Sequence, residues 1–270
     1  MEFNMYGLPM IGADICGFQH NATYDMCARW SALGAFYPFS RNHNDHDTIE
    51  QDPAKFGGAV ESAARKALIL RYTLLPYLYT LFYESHMLGE PVIRPLFFEF
   101  REDAHSYECE SQFMWGSGKT IRCNLFISSR NLLNMIRTLI FVPGLMIVPA
   151  LTNETIIKAY FPPAIWYNFN TSKLITSKSE IMSISMELDE ITLAIRGGNV
   201  IPTQDPALTT VESRRNPFRI IVALDAIGKA EGLLFWDDGS SINTITLGLN
   251  NLIHFNVENV MMKRSLSYMR

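Results

Sequence analysis

Asp14, Phe18 and His43 put a carboxylate, an aromatic face and an imidazole on two closely spaced segments. These are Gly12-Ala13-Asp14-Ile15-Cys16-Gly17-Phe18 and Phe39-Ser40-Arg41-Asn42-His43-Asn44. Such a trio can exchange hydrogen bonds with a polar ligand and cover an apolar face of it. The apolar lead-in Tyr6-Gly7-Leu8-Pro9-Met10-Ile11 predicts a short buried strand, after which two glycines force a sharp turn. Asp14 then falls where a strand hands over to a loop, the place where parallel α/β sheets and barrels bind ligands. Spacing alone leaves a second reading open, in which Asp14 only caps the turn and His43 is an ordinary loop histidine. No second strand-end carboxylate is evident to pair with Asp14, since Asp25, Asp45 and Asp47 lie on no recognisable strand end.

The elements that must hold these residues are legible in outline. Pro53 to Leu88 is the clearest helical region, with Ala63, Ala64, Ala67, Leu68, Leu70, Leu74 and Leu75 at helical spacing. Pro76 should kink or divide it, and Tyr77, Leu78, Leu81 and Phe82 then resume an apolar stripe that reads as core. Gly89 should end the helix, and Pro91 to Phe97 reads as another short strand, giving a strand, loop, helix, strand unit of barrel type. After about residue 110 the pattern changes to short apolar runs between turn signals, at Leu145–Val148, Ile156–Phe161, Ile191–Ile195, Phe218–Leu224, Gly232–Trp236 and Leu252–Val257. Strands so spaced predict a β-sandwich. Asp237-Asp238-Gly239 reads as a tight turn rather than a metal site. With 270 residues, 48% of them hydrophobic, the chain can bury a sizeable core. A net charge of −4 gives no reason to expect nucleic acid or an anionic membrane as partner. No secretory signal opens the chain.

Longer motifs narrow the reading. GADICGF, then Trp30 with Leu33-Gly34-Ala35-Phe36-Tyr37-Pro38-Phe39-Ser40-Arg41-Asn42-His43-Asn44, then Arg71-Tyr72-Thr73-Leu74-Leu75-Pro76-Tyr77-Leu78-Tyr79-Thr80 occur in order. Arg94-Pro95-Leu96-Phe97, Tyr160-Phe161-Pro162, Trp166-Tyr167, Ile195-Arg196-Gly197-Gly198 and Phe235-Trp236-Asp237-Asp238-Gly239 follow. The chain resembles the carboxyl-terminal part of glycoside hydrolase family 31, closest to the maltase-glucoamylase, sucrase-isomaltase and lysosomal acid α-glucosidase group. The resemblance implies the last strands and helices of a (β/α)8 TIM barrel over 1–110, then antiparallel β-sandwich domains. A proximal one would span 111–203, and 204–270 would begin a distal one. It makes Met1 an internal methionine. One stretch departs from the family: Lys119 to Gly144 intervenes where Phe113 to Gly118 should run directly into Leu145-Met146-Ile147-Val148-Pro149. This insert is apolar where a long loop is normally polar, and retained non-coding sequence or a gene-model error would explain it.

The resemblance also assigns roles. Retaining glycosidases need two carboxyl groups about 5 Å apart, one as nucleophile and one as acid/base. The family's strings for both are missing here, so neither is assigned within the chain and both are expected upstream of Met1. What remains is substrate-binding: Asp14 in the polar shell of a glucose pocket, Phe18 on its apolar floor, and His43 donating to a sugar hydroxyl. Arg41 and Asn42 read as loop scaffolding, and Trp30 and Phe36 as barrel packing. Cys16 and Cys27 are separated by ten residues, short enough for a disulfide, and the resemblance implies that pairing. Cys109 and Cys123 default to free thiols. Sequons at Asn21, Asn153 and Asn170 fit a secretory-pathway protein. No cofactor and no metal are called for. The expected partners are an α-glucoside oligosaccharide and the missing amino-terminal part of the barrel. Two functions stand: part of a retaining α-glucosidase acting on terminal α-linked glucose, inactive as this chain alone, or a non-catalytic truncated paralogue or carbohydrate-binding β-domain remnant.

Overall fold

The computed structural model describes residues 2–116, 119–126, 135–142, 144–176 and 178–258. A one-turn helix, α1 (Glu2–Met5), opens the described chain. The strand expected over Tyr6–Ile11 does not form: Tyr6, Leu8 and Met10 are 80%, 56% and 61% exposed. Among the described residues no strand lies beside this stretch, and an apolar run without a ladder partner has nowhere to place its backbone groups. What engages it across the chain is the Phe39 N–H, which donates to the Ile11 carbonyl at 3.1 Å.

Extended pairing begins at β1 (Asp14–Ile15), which runs parallel to β2 (Arg41–Asn42). Parallel neighbours need a crossover, and α2 (Tyr24–Gly34) supplies it. Thr23 caps α2 by accepting from the Met26 N–H at 3.4 Å, and Asp25 favours the positive end of the helix dipole. A short α3 (Pro53–Phe56) leads into α4 (Gly58–Thr73), which packs on α2. The buried faces carry Ala28 and Ala32 on one helix and Ala63, Ala64 and Ala67 on the other, small side chains that allow close approach. Pro76 brings no N–H, so the ladder stops at Leu74 and α5 (Leu75–Leu88) restarts with Pro76 in its first turn. Gly89 ends α5 at φ 72°, the left-handed conformation expected of a glycine there.

Beyond Gly89 the chain is mainly antiparallel sheet. Ile93–Pro95 (β3) is indeed a strand, but it does not close a barrel unit. It pairs with Phe113–Trp115 (β4) at the edge of a six-stranded sheet, and α6 (Leu96–Glu99) follows it directly. The insert forms a hairpin, β5 (Lys119–Phe126) with β6 (Met135–Val142), and β6 runs beside a later strand, Lys229–Trp236. The six-stranded sheet continues through β7 (Leu145–Val148), while β8 (Ile156–Phe161) leaves it to pair elsewhere. Then come β9 (Trp166–Asn168), β10 (Leu174–Thr176), β11 (Glu180–Ser185), which pairs with β8, and β12 (Thr192–Arg196). The sheet order is β10-β9-β12-β7-β4-β3.

The continuous apolar run of β7 has a direct cause. Leu145 and Ile147 face the helices with Trp115, Tyr77 and Phe36, whereas Met146 and Val148 face the opposite layer with Phe161 and Trp166. A strand covered on both faces needs no polar alternation. A second sheet contains β13 (Asn199–Gln204), β14 (Phe218–Ala223), β15 (Lys229–Trp236) and β16 (Asn251–Glu258), with α7 (Thr210–Ser213) before β14. Its order is β14-β13-β15-β16, and β13 spans the expected boundary at 203. This sheet leans on α5: Phe235 stacks on Tyr83 at 4.3 Å, and its N–H donates to Thr80 Oγ1 at 3.0 Å. Asp237-Asp238-Gly239 is a turn, with Gly239 at φ 74° and Asp238 accepting from the Ser240 and Ser241 N–H groups.

Candidate functional site: a carboxylate, ring and imidazole ledge

The pairing of β1 with β2 sets Asp14 opposite Arg41. Arg41 Nε donates to Asp14 Oδ1 at 2.7 Å, and Nη2 reaches the same oxygen. Asp14 is 18% exposed and Arg41 47%, so the pair lies at a solvent-facing rim. After β1 the chain reverses through Cys16 at φ 71° and Gly17 at φ 90°, with the Gly17 N–H donating to the Asp14 carbonyl at 2.9 Å. A cysteine in the left-handed region is unusual and needs a constraint, which the disulfide from Cys16 to Cys27 on α2 supplies. This reversal delivers Phe18, 39% exposed, against His43, with ring centroids 5.3 Å apart and planes tilted by 37°.

Polar ties hold the two segments together. The Asp45 N–H donates to the Phe18 carbonyl at 2.9 Å, and the buried Gln51 amide donates to the Gly17 carbonyl at 2.9 Å. Asn42 donates to the Gln51 carbonyl at 2.8 Å, and the Ile49 N–H to Asn21 Oδ1 at 2.9 Å.

Approach to the ledge is fixed from below. Arg71 on α4 donates to the carbonyls of Ala35 and Tyr37, each at 2.6 Å, and of Pro38 at 3.0 Å. Trp115 Nε1 takes the remaining carbonyl, Phe36, at 2.8 Å. Four consecutive carbonyls of an irregular segment are thus satisfied, as a buried backbone requires. Burial lowers the pKa of the Arg71 guanidinium to about 10. Gly12 is needed beneath the same segment, since a Cβ there would collide with the Phe39 carbonyl oxygen.

The three residues singled out by sequence therefore lie on the same two tied segments, Phe18 against His43 and Asp14 held by Arg41, and the Cys16 to Cys27 disulfide braces this ledge. Asn42 serves as scaffolding, as its sequence context suggested, and Arg41 does so by holding the Asp14 carboxylate. Sequence reading missed the roles of Gln51 and Arg71: nothing about a glutamine in a polar loop marks it as buried, and Arg71 stood out only as the first residue of a longer motif. Asn21, Asn153 and Asn170 are all exposed. Cys109 is a free thiol whose pKa burial raises, and the Cys123 side chain lies outside the described residues. Among the described residues no group of three His, Cys, Asp or Glu stands close enough to hold a metal. Nor is any described helix long and apolar enough to cross a membrane.

The site is a carboxylate, ring and imidazole ledge at a parallel strand pair in a β/α segment, followed by antiparallel β domains. That combination defines the late part of a barrel-type protein with β-sandwich modules appended. A model of the glycosyl hydrolases family 31 TIM-barrel domain matches residues 1–81, and one of the glycosyl hydrolase family 31 C-terminal domain matches 89–118 and 124–201. The chain belongs to glycoside hydrolase family 31. It is 39% identical to the rat lysosomal alpha-glucosidase over 96% of this chain and 26% of that protein. It is 44% identical to the human probable maltase-glucoamylase 2 over 94% of this chain and 9% of that protein. The solved glucosidase II alpha subunit superposes with a TM-score of 0.81 at 28% identity, covering 95% of this chain and 25% of that one. The chain thus spans about a quarter or less of these relatives.

Proposed function

We propose that this chain forms one wall of the glucose pocket of a retaining α-glucosidase, with Asp14 and His43 hydrogen-bonding sugar hydroxyls and Phe18 covering the apolar ring face. The observation that carries this reading is the Phe18 to His43 contact beside an Asp14 carboxylate held by Arg41 at the end of paired parallel strands. Buried or half-buried polar groups aimed at hydroxyls discriminate strongly between sugars, because a wrong epimer leaves them unpaired. Arg41 fixes the orientation of the carboxylate without touching the sugar.

The nucleophile and acid/base come from preceding barrel strands in this reading, and the chain acts with that amino-terminal part as its partner. The substrate is an α-linked gluco-oligosaccharide, in keeping with relatives named as α-glucosidases and maltase-glucoamylase. A secretory-pathway location agrees with the disulfide, the exposed sequons at Asn21, Asn153 and Asn170, and relatives described as lysosomal or intestinal.

The experiment is a glucose-release assay on maltose. The chain alone is expected to release none, and joining it to a preceding barrel region from a relative should restore release that H43A lowers at least tenfold. Glucose release by the chain alone, abolished by D14N, would overturn the assignment and make Asp14 catalytic.

A further inference from the structure

A groove of about 460 Å³ runs between α4, α5 and the second sheet, and none of the three ledge residues lines it. Its volume falls in the usual range of small-molecule sites, roughly 300 to 1,000 Å³. The walls are aromatic, with Phe39, Tyr72, Tyr79 and Trp236 all contributing. Two of these rings are fixed. The Tyr79 hydroxyl donates to the Asp237 carboxylate at 3.0 Å, and the Arg214 guanidinium lies 3.7 Å from the Trp236 ring centroid.

Polar groups converge between the rings. Gln204 is 3% exposed and lines the groove, and its Nε2 is spent on the Asn216 carbonyl at 2.8 Å. Its Oε1 takes part in no hydrogen bond among the described residues and is not one of the fully enclosed polar atoms, so a molecule in the groove can reach it. Ser40 and Tyr72, which carry hydroxyls, also line the groove. Both cations present are already engaged, Arg71 by three carbonyls and Arg214 by the Asp237 carbonyl and two rings. An anion would find no free charge here. A neutral molecule with one apolar face and several hydroxyls would find both kinds of surface it needs.

We propose that this groove is a second saccharide site, in which an aromatic wall stacks on a pyranose ring and Gln204 Oε1 accepts from a sugar hydroxyl. It would hold a neutral mono- or disaccharide apart from the Asp14, Phe18 and His43 ledge. The seat joins three parts of the chain, because α4, α5 and the β13 to β15 region each provide a wall.

The test is a maltose titration of the whole chain followed by NMR on the Gln204 side-chain amide and the Trp236 indole. Both signals should shift, and H43A should leave the shifts unchanged, which separates this site from the ledge whatever the fate of the proposed pocket. Q204L and Y72A should each weaken maltose binding at these signals at least fivefold. Y72A decides the matter where Q204L fails to fold, because Tyr72 is half-buried and its ring is not part of the core. Absence of shifts at Gln204 and Trp236, or maltose binding to Y72A equal to the unaltered chain, would overturn the proposal.

Discussion

The barrel-derived part of the chain and its β part solve the same problem in different ways. From β3 onward, backbone groups are satisfied mainly by sheet ladders, and β7 is buried on both faces. Before α4, the only ladder among the described residues is the two-residue pairing of β1 with β2. Side chains take over there: a disulfide, the Gln51 amide, the Arg71 guanidinium and the Trp115 indole hold what a sheet would otherwise hold. The difference teaches that the ledge is positioned by a few individually decisive groups, whereas the β part distributes its stability over many equivalent bonds.

Substitutions that remove those decisive groups should break the comparison most visibly. R71M is expected to have the largest effect, a loss of about 3 to 4 kcal/mol, because three buried carbonyls lose their donor at once. Urea unfolding would measure it, and a loss below about 1 kcal/mol would show that the sheet region alone sets stability. The paired substitution of Cys16 and Cys27 by serine should cost about 3 kcal/mol, since closing a short loop restricts the unfolded chain by that order. Proteolysis should then cut first between Gly17 and Thr23. G12A comes next, at about 1 to 3 kcal/mol, from the collision of its Cβ with the Phe39 carbonyl. The NMR signals of residues 37–43 should move while those of β7 and β12 stay in place.

Glu84 sharpens the comparison at the seam between the parts. It is 1% exposed on α5, neither carboxylate oxygen has a partner, and burial pushes its pKa well above the usual carboxylate value despite nearby Arg94. A raised folded-state pKa gives stability that is present below the unfolded value near 4.5 and is lost as pH climbs toward the folded one. E84Q should therefore unfold like the unaltered chain at pH 4 and be more stable by about 1 to 3 kcal/mol above the folded pKa. Equal stabilities across that pH range would mean the carboxylate has found water. The smallest effect belongs to R65A, which breaks an exposed pair with Glu61 on α4 and should change stability by only about 0.3 kcal/mol.

Much of this was readable in the residues, for physical reasons that differ from place to place. Alanine spacing exposed α4, Pro76 and Gly89 marked the ends of α5, and short apolar runs between turn signals exposed β7 and β12. Each depends only on local periodicity or on a backbone constraint. The failure at Tyr6–Ile11 has the opposite origin, since strand formation needs a neighbour that local sequence cannot supply. β3 likewise looks the same whether it closes a barrel or edges a sandwich, because its pairing with β4 is a tertiary fact. At the ledge, types and order singled out Asp14, Phe18 and His43, but the carbonyl contacts of Arg71 left no trace in side-chain chemistry. Asp237 shows a similar limit. It sits in the expected turn, yet it also accepts from Tyr79 and Thr244, which joins α5 to the region after β15.

The Arg71 arrangement has an evolutionary consequence. What the guanidinium reads is main chain, and every residue offers the same carbonyl whatever its side chain. The segment from Ala35 to Pro38 is therefore free to drift in composition while keeping its course, so long as the new residues fit the space. Arg71 has no such freedom: lysine carries a single terminal nitrogen and cannot span three acceptors with the same fork. Variation near the ledge and constancy at a helix position more than thirty residues away would be two sides of one contact.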